Sequence, residues 1–98
     1  MPGNPYERLS YIYIRLVRGY SPQASEALEK ILQSYGPRAA YCAALGVTLL
    51  LRKAKQQGYI DPCESYTHHL NDMPEVMPLY HMAVEGLSSD MQVRSGKV

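Results

Sequence analysis

Residues 4–18 read Asn4-Pro5-Tyr6-Glu7-Arg8-Leu9-Ser10-Tyr11-Ile12-Tyr13-Ile14-Arg15-Leu16-Val17-Arg18, and two structures compete for them. The inner run Tyr11-Ile12-Tyr13-Ile14 is β-prone, because aromatic and β-branched side chains fit a pleated surface. The flanks favour a helix. Asn4 stands at an N-cap, Pro5 at the first helical position and Glu7 at the third, so a side-chain oxygen satisfies an orphan amide where proline's missing donor does no harm. Leu9, Ile12, Tyr13, Leu16, Val17 and Tyr20 then recur at the i, i+3, i+4 spacing of one helix face. The spacing predicts a helix over 5–18 with that stripe inward.

The same start recurs downstream. Ser21-Pro22 repeats the cap and the proline, and Asp61-Pro62-Cys63-Glu64 repeats the whole signal. A second helix is expected over 22–35, with Ala24, Ala27, Leu28, Ile31, Leu32 and Tyr35 on one stripe and Glu26, Glu29, Lys30 and Gln33 outside. Gly36-Pro37 ends it, because glycine takes the C′ conformation and proline blocks continuation. A third is expected over 38–57, stopped by Gly58. Ala40, Ala43, Ala44, Val47, Leu50, Leu51 and Ala54 form one apolar face, while Tyr41, Cys42, Leu45 and Leu49 form another. A helix apolar on opposite sides is central, or meets a second copy. Shorter helices are expected over 62–70 and 78–87, the last burying Leu79, Met82, Ala83 and Leu87. Residues 88–98 show no periodicity and read as a flexible tail. The fold class is therefore all-α: a compact bundle of about five short helices, forming a single domain over 1–87.

The whole chain bounds what such a domain does. It has 98 residues, 46% hydrophobic and 19% charged, a globular composition with a thin charged surface. Ten Lys and Arg against nine Asp and Glu leave a net charge of +1. That balance argues against a general nucleic-acid or membrane-surface binder, which needs a strong basic field. The longest apolar stretch, Ala39 to Leu51, is shorter than the roughly 20 residues of a membrane span. The first residues show no signal-peptide pattern, and two cysteines, Cys42 and Cys63, fit free thiols in a reducing cytoplasm. Nine tyrosines with no Phe or Trp allow a Tyr-rich contact surface.

No constellation of catalytic groups stands out, and neither a cofactor nor a metal is expected. Cys63, His68, His69, Asp72 and His81 are metal-ligand types, but their spacing matches no zinc pattern. Adjacent histidines on a helix point about 100° apart. Cys63 in a first helical turn, with His68 nearby, is the basis of one alternative, a small metal- or thiol-dependent enzyme. A second alternative is a DNA-binding transcriptional regulator. Tyr41 to Val47 resembles the turn of a helix-turn-helix, with Arg52, Lys53 and Lys55 after it, although Leu49-Leu50-Leu51 would occupy the reading face.

The reading preferred from the sequence is a non-enzymatic, small helical regulator that binds another protein, as an inhibitor, anti-activator or adaptor. Bacterial and phage regulators offer a fold-level analogy. Tyr11, Ile14 and Arg18 are the expected protein-binding patch, an aliphatic centre between Tyr and Arg, which is hot-spot composition. Tyr41, Cys42, Leu45 and Leu49 are the expected homodimer interface.

Overall fold

The computed structural model describes residues 5–58 and 70–94. Among them are four α-helices: α1 (Pro5–Arg18), α2 (Pro22–Tyr35), α3 (Pro37–Gln57) and α4 (Met77–Arg94), with a 3-10 turn at Pro74–Val76 leading into α4. No strand occurs among the described residues, so Tyr11 to Ile14 are helical. The four helices correspond to four of the five expected. The expected helix 62–70 falls outside the described residues except for Leu70, as do the caps expected at Asn4 and Asp61. Cys63, His68 and His69 lie outside them too.

Local chemistry explains the described boundaries. Ser21 sits in extended backbone at the N-cap of α2, and its Oγ accepts from the Ala24 amide at 3.0 Å. Gly36, at φ 94°, donates its amide to the Leu32 carbonyl and closes α2. Pro37 starts α3 directly after it. Gly58 ends α3 in the left-handed conformation, at φ 90°, with its amide on the Ala54 carbonyl. Any other residue at these positive φ values would be strained.

Helix α3 is the spine. Its expected inner face is buried from Ala40 through Ala54, and Ala39 and Gly46 are buried beside it. These small residues let α1, α2 and α4 approach closely. Leu28 and Ile31 of α2, Val17 of α1, Tyr80 and Leu87 of α4, and Leu70 and Val76 of the connection complete the core. Each large aliphatic buried there contributes roughly 1.5–3 kcal/mol before entropy is counted.

Met82 and Tyr35, expected inward, are 48% and 44% exposed, and two larger expectations fail for identifiable reasons. Helix α4 does not stop at 87. It continues to Arg94, so residues 88–94, expected within a tail, are helical, and 95–98 lie outside the described residues. The extension is anchored by polar contacts, and Met91, one turn after Leu87, packs against the core beside them. Asp90 accepts from Ser21 Oγ at 2.6 Å and from the backbone amide and side-chain amide of Gln23 at 3.2 and 2.8 Å. A carboxylate at a helix N-terminus also meets the favourable end of the helix dipole. The second failure concerns α1. Its buried residues are Ser10, Ile14 and Val17. Leu9, Ile12 and Leu16, expected inward, are 37%, 53% and 47% exposed. Ser10 tolerates burial because its hydroxyl donates to the Glu7 carbonyl of its own helix, at 2.7 Å. Both arcs of α1 are apolar enough to form a core, and tyrosine packing selects between them.

Candidate protein-binding surface

Helix α1 is held against α3 by an aromatic seam. Tyr6 and Tyr13, on the same side of α1, each lie 5.6 Å from the Tyr41 ring, at 43° and 51°. Such tilted contacts suit the ring quadrupole. At the far end, Lys55 lies over the Tyr20 ring at 4.1 Å and also donates to its hydroxyl. These contacts fix the rotation of α1. Val17 and Ile14 turn to the core, and the Leu9–Ile12–Leu16 row turns outward.

Along its other edge α1 faces α2 across an open groove of about 460 Å³. Tyr11, Ile14 and Arg18 line one wall, with Leu32 and Gln33 opposite. Arg18 pairs with Glu29 across it. The structure therefore brings the expected patch Tyr11, Ile14 and Arg18 together, but not as drawn from the sequence. Ile14 is only 3% exposed and forms the groove floor, so it is no aliphatic centre of a surface patch. Tyr11 is 57% exposed, and the guanidinium of Arg18 is already engaged.

The exposed aliphatic centre lies one step around the helix. Leu9, Ile12 and Leu16 stand at i, i+3 and i+7, on one line of an α-helix. A shallow hollow of about 330 Å³ borders this row, lined by Arg8, Tyr11, Ile12 and Arg15. Among the described residues Arg8 and Arg15 form no ion pair, whereas Arg18 and Arg38 are matched with Glu29 and Asp72. Sequence reasoning missed this row by assigning it to the core. The available signal was the width of the apolar arc: Leu9, Ile12 and Leu16 on one side, with Ile14 and Val17 on another, exceed what the neighbours of one helix can cover.

The expected dimer residues are half-buried. Tyr41 is occupied by the aromatic seam, leaving Cys42, Leu45 and Leu49 as a partly covered strip on the outer side of α3. Burial pushes the Cys42 thiol up from its ordinary value, against the opposing pull of Arg38, so it is a weak nucleophile near neutral pH. Arg38 Nη2 donates to Asp72 Oδ2 at 2.6 Å, which raises the guanidinium further and holds the carboxyl below its ordinary range.

Helix α3 runs unbroken through Gly46, so the turn required by the DNA-binding alternative is not formed there. Asp72 is paired with Arg38 and His81 is exposed on α4, and the described residues contain no cluster of metal-ligating side chains. No described helix is long and apolar enough to cross a membrane. Comparison with protein-family models, with curated proteins and with solved structures gives no match for this chain.

Proposed function

We propose that this chain is a small helical regulatory protein that acts by binding another protein, in the manner of an inhibitor, anti-activator or adaptor. The observation that carries the reading is the outward row Leu9, Ile12 and Leu16 on α1. Single exposed leucines are ordinary on protein surfaces. Three large aliphatics at helical spacing beside Tyr11, in a chain only 19% charged, make a contiguous patch of the kind that marks interaction sites. Tyrosine and arginine at its border add hot-spot composition.

A homodimer is part of the same proposal. Cys42, Leu45 and Leu49 form the strip that a second copy would cover, and a two-fold interface uses one patch twice. Tyr41 contributes less than its position suggests, because its ring is already packed.

Affinity capture from the source cells, with wild-type protein and with Ile12→Glu, tests the binding reading. The expected result is a protein retained by the wild type and lost from a variant of unchanged helicity. Equal retention by both removes α1 from the interaction. Light scattering at micromolar concentration tests the dimer. The wild type should show twice the chain mass, and Leu45→Glu with Leu49→Glu should reduce it to the monomer.

A further inference from the structure

We propose that the outer face of α1 docks an acidic amphipathic helix, whose own apolar ridge lies along Leu9, Ile12 and Leu16 and whose carboxylates reach Arg8 and Arg15. The proposal rests on the protein-binding reading and specifies the chemistry of the partner.

The apolar part follows from spacing. Anchors at i, i+3 and i+7 are the pattern by which one helix reads another. The polar part follows from which charges are already used. Among the described residues Arg18 and Arg38 have carboxylate partners, and Arg8 and Arg15 have none. Both border the hollow beside Ile12. They are two helical turns apart, about 10 Å along the axis. The only carboxylate of α1, Glu7, stands on the opposite side of the helix from the Leu9–Ile12–Leu16 row. The face therefore presents an aliphatic line with two unmatched positive charges on one border. Its complement is an aliphatic line with two carboxylates about two turns apart.

A second copy of the chain fits this face poorly. With α1 laid antiparallel on its twin and Ile12 at the two-fold axis, Arg8 of each copy approaches Arg15 of the other. A parallel two-fold arrangement leaves the arginines of the two copies on opposite borders of the seam, facing the Tyr6 and Tyr13 side. Neither arrangement brings a carboxylate to Arg8 or Arg15, and the antiparallel one also places like charges together. An anionic lipid surface would satisfy the arginines, but a single aliphatic line on a packed helix offers little to insert, and stable membrane attachment takes a broader apolar face or a larger basic cluster.

The test uses two synthetic helical peptides that differ only in charge. Both carry leucine at i, i+3 and i+7; one carries glutamates two turns apart on one border, the other lysines. Fluorescence anisotropy is read with the wild type, with Ile12→Glu, and with Arg8→Glu combined with Arg15→Glu. These residues are exposed, and circular dichroism checks the fold of each variant. The glutamate peptide is expected to bind the wild type at least ~10-fold tighter than the lysine peptide, a preference that salt weakens. The double arginine variant should reverse the preference, and Ile12→Glu should abolish binding of the glutamate peptide. No charge preference in the wild type, or no reversal in the double variant, overturns the proposal. If Ile12→Glu still loses the partner captured from cells, the protein-binding reading survives that failure; if it loses neither peptide nor captured partner, both fall. Binding of the wild type to phosphatidylserine vesicles, lost in the double arginine variant, in place of a preference for the glutamate peptide, would also overturn the proposal.

Discussion

Where α2 meets α4, Gly86 brings the backbones into near contact and Asp90 collects hydrogen bonds from Ser21 and Gln23; on the outer side of α1, Leu9, Ile12 and Leu16 are exposed, and Arg8 and Arg15 have no carboxylate among the described residues. The first surface is closed. A Cβ added at Gly86 would lie 2.8 Å from Gln23 Cβ and 3.1 Å from the Ala24 amide nitrogen, and Ser21 is fully buried with its hydroxyl both donating and accepting. The second surface has the ingredients of a helix interface without the second helix. We read this second surface, apolar on one line and charged on its border, as the proposed binding face.

Mutations should separate the two regions cleanly. The largest effect is expected at Asp90. Replacement by alanine removes a charged acceptor and leaves the Ser21 hydroxyl and the Gln23 amide to find other partners, at a cost of about 2 kcal/mol. Urea melts measure it, and a neutral Asp90→Ala would mean that the C-terminal half of α4 does not hold α2. Gly86→Ala comes next. Alanine gains up to ~1 kcal/mol of helix propensity, but the overpacking costs ~1–3 kcal/mol, so a net loss of about 1 kcal/mol is expected. A stabilised Gly86→Ala would show that the seam is looser than its geometry.

The smallest effect belongs to the Arg38–Asp72 pair, which is exposed and open to screening. The folded carboxyl titrates below its unfolded value, so its contribution is complete above the ordinary carboxylate range and is lost as pH falls through the lowered folded pKa. Arg38, shifted upward, stays charged throughout. Thermal melts from pH 7 into acid should therefore fall slightly less for Asp72→Asn than for the wild type, and 1 M salt should remove the difference. A larger acid loss in the variant would contradict that sign.

The helical architecture was legible because it is written in local chemistry. Ser21-Pro22 and Gly36-Pro37 carry their instructions within a few residues, and α2 begins and ends where they place it. The inner face of α3 was legible for a different reason: small residues and aliphatics leave it no polar alternative. The rotation of α1 was not legible. Its apolar arc spans two candidate faces, and the choice depends on Tyr41, which is distant in sequence and stacks on Tyr6 and Tyr13. The length of α4 was hidden for a similar reason. Asp90 stabilises the helix through Ser21 and Gln23, contacts that no hydrophobic periodicity records, and Met91, one turn after Leu87, is the apolar signal that could have extended it. The expected patch shared this error, since Ile14 can be a surface anchor only if α1 is turned the other way.

Ile12 and Ile14 are the same residue type, two positions apart on one helix, and they are 53% and 3% exposed. Thermal melts of Ile12→Glu and Ile14→Glu therefore test the rotation of α1 most directly. Ile12→Glu is expected to melt within a few degrees of the wild type, because exposed substitutions stay within about 0.5 kcal/mol. Ile14→Glu buries an unpaired carboxylate in the core and is expected to unfold the domain or lower its melting temperature by well over ~10 °C. The reverse order, with Ile12→Glu unfolded and Ile14→Glu close to wild type, would place Leu9, Ile12 and Leu16 in the core and contradict the outward binding face.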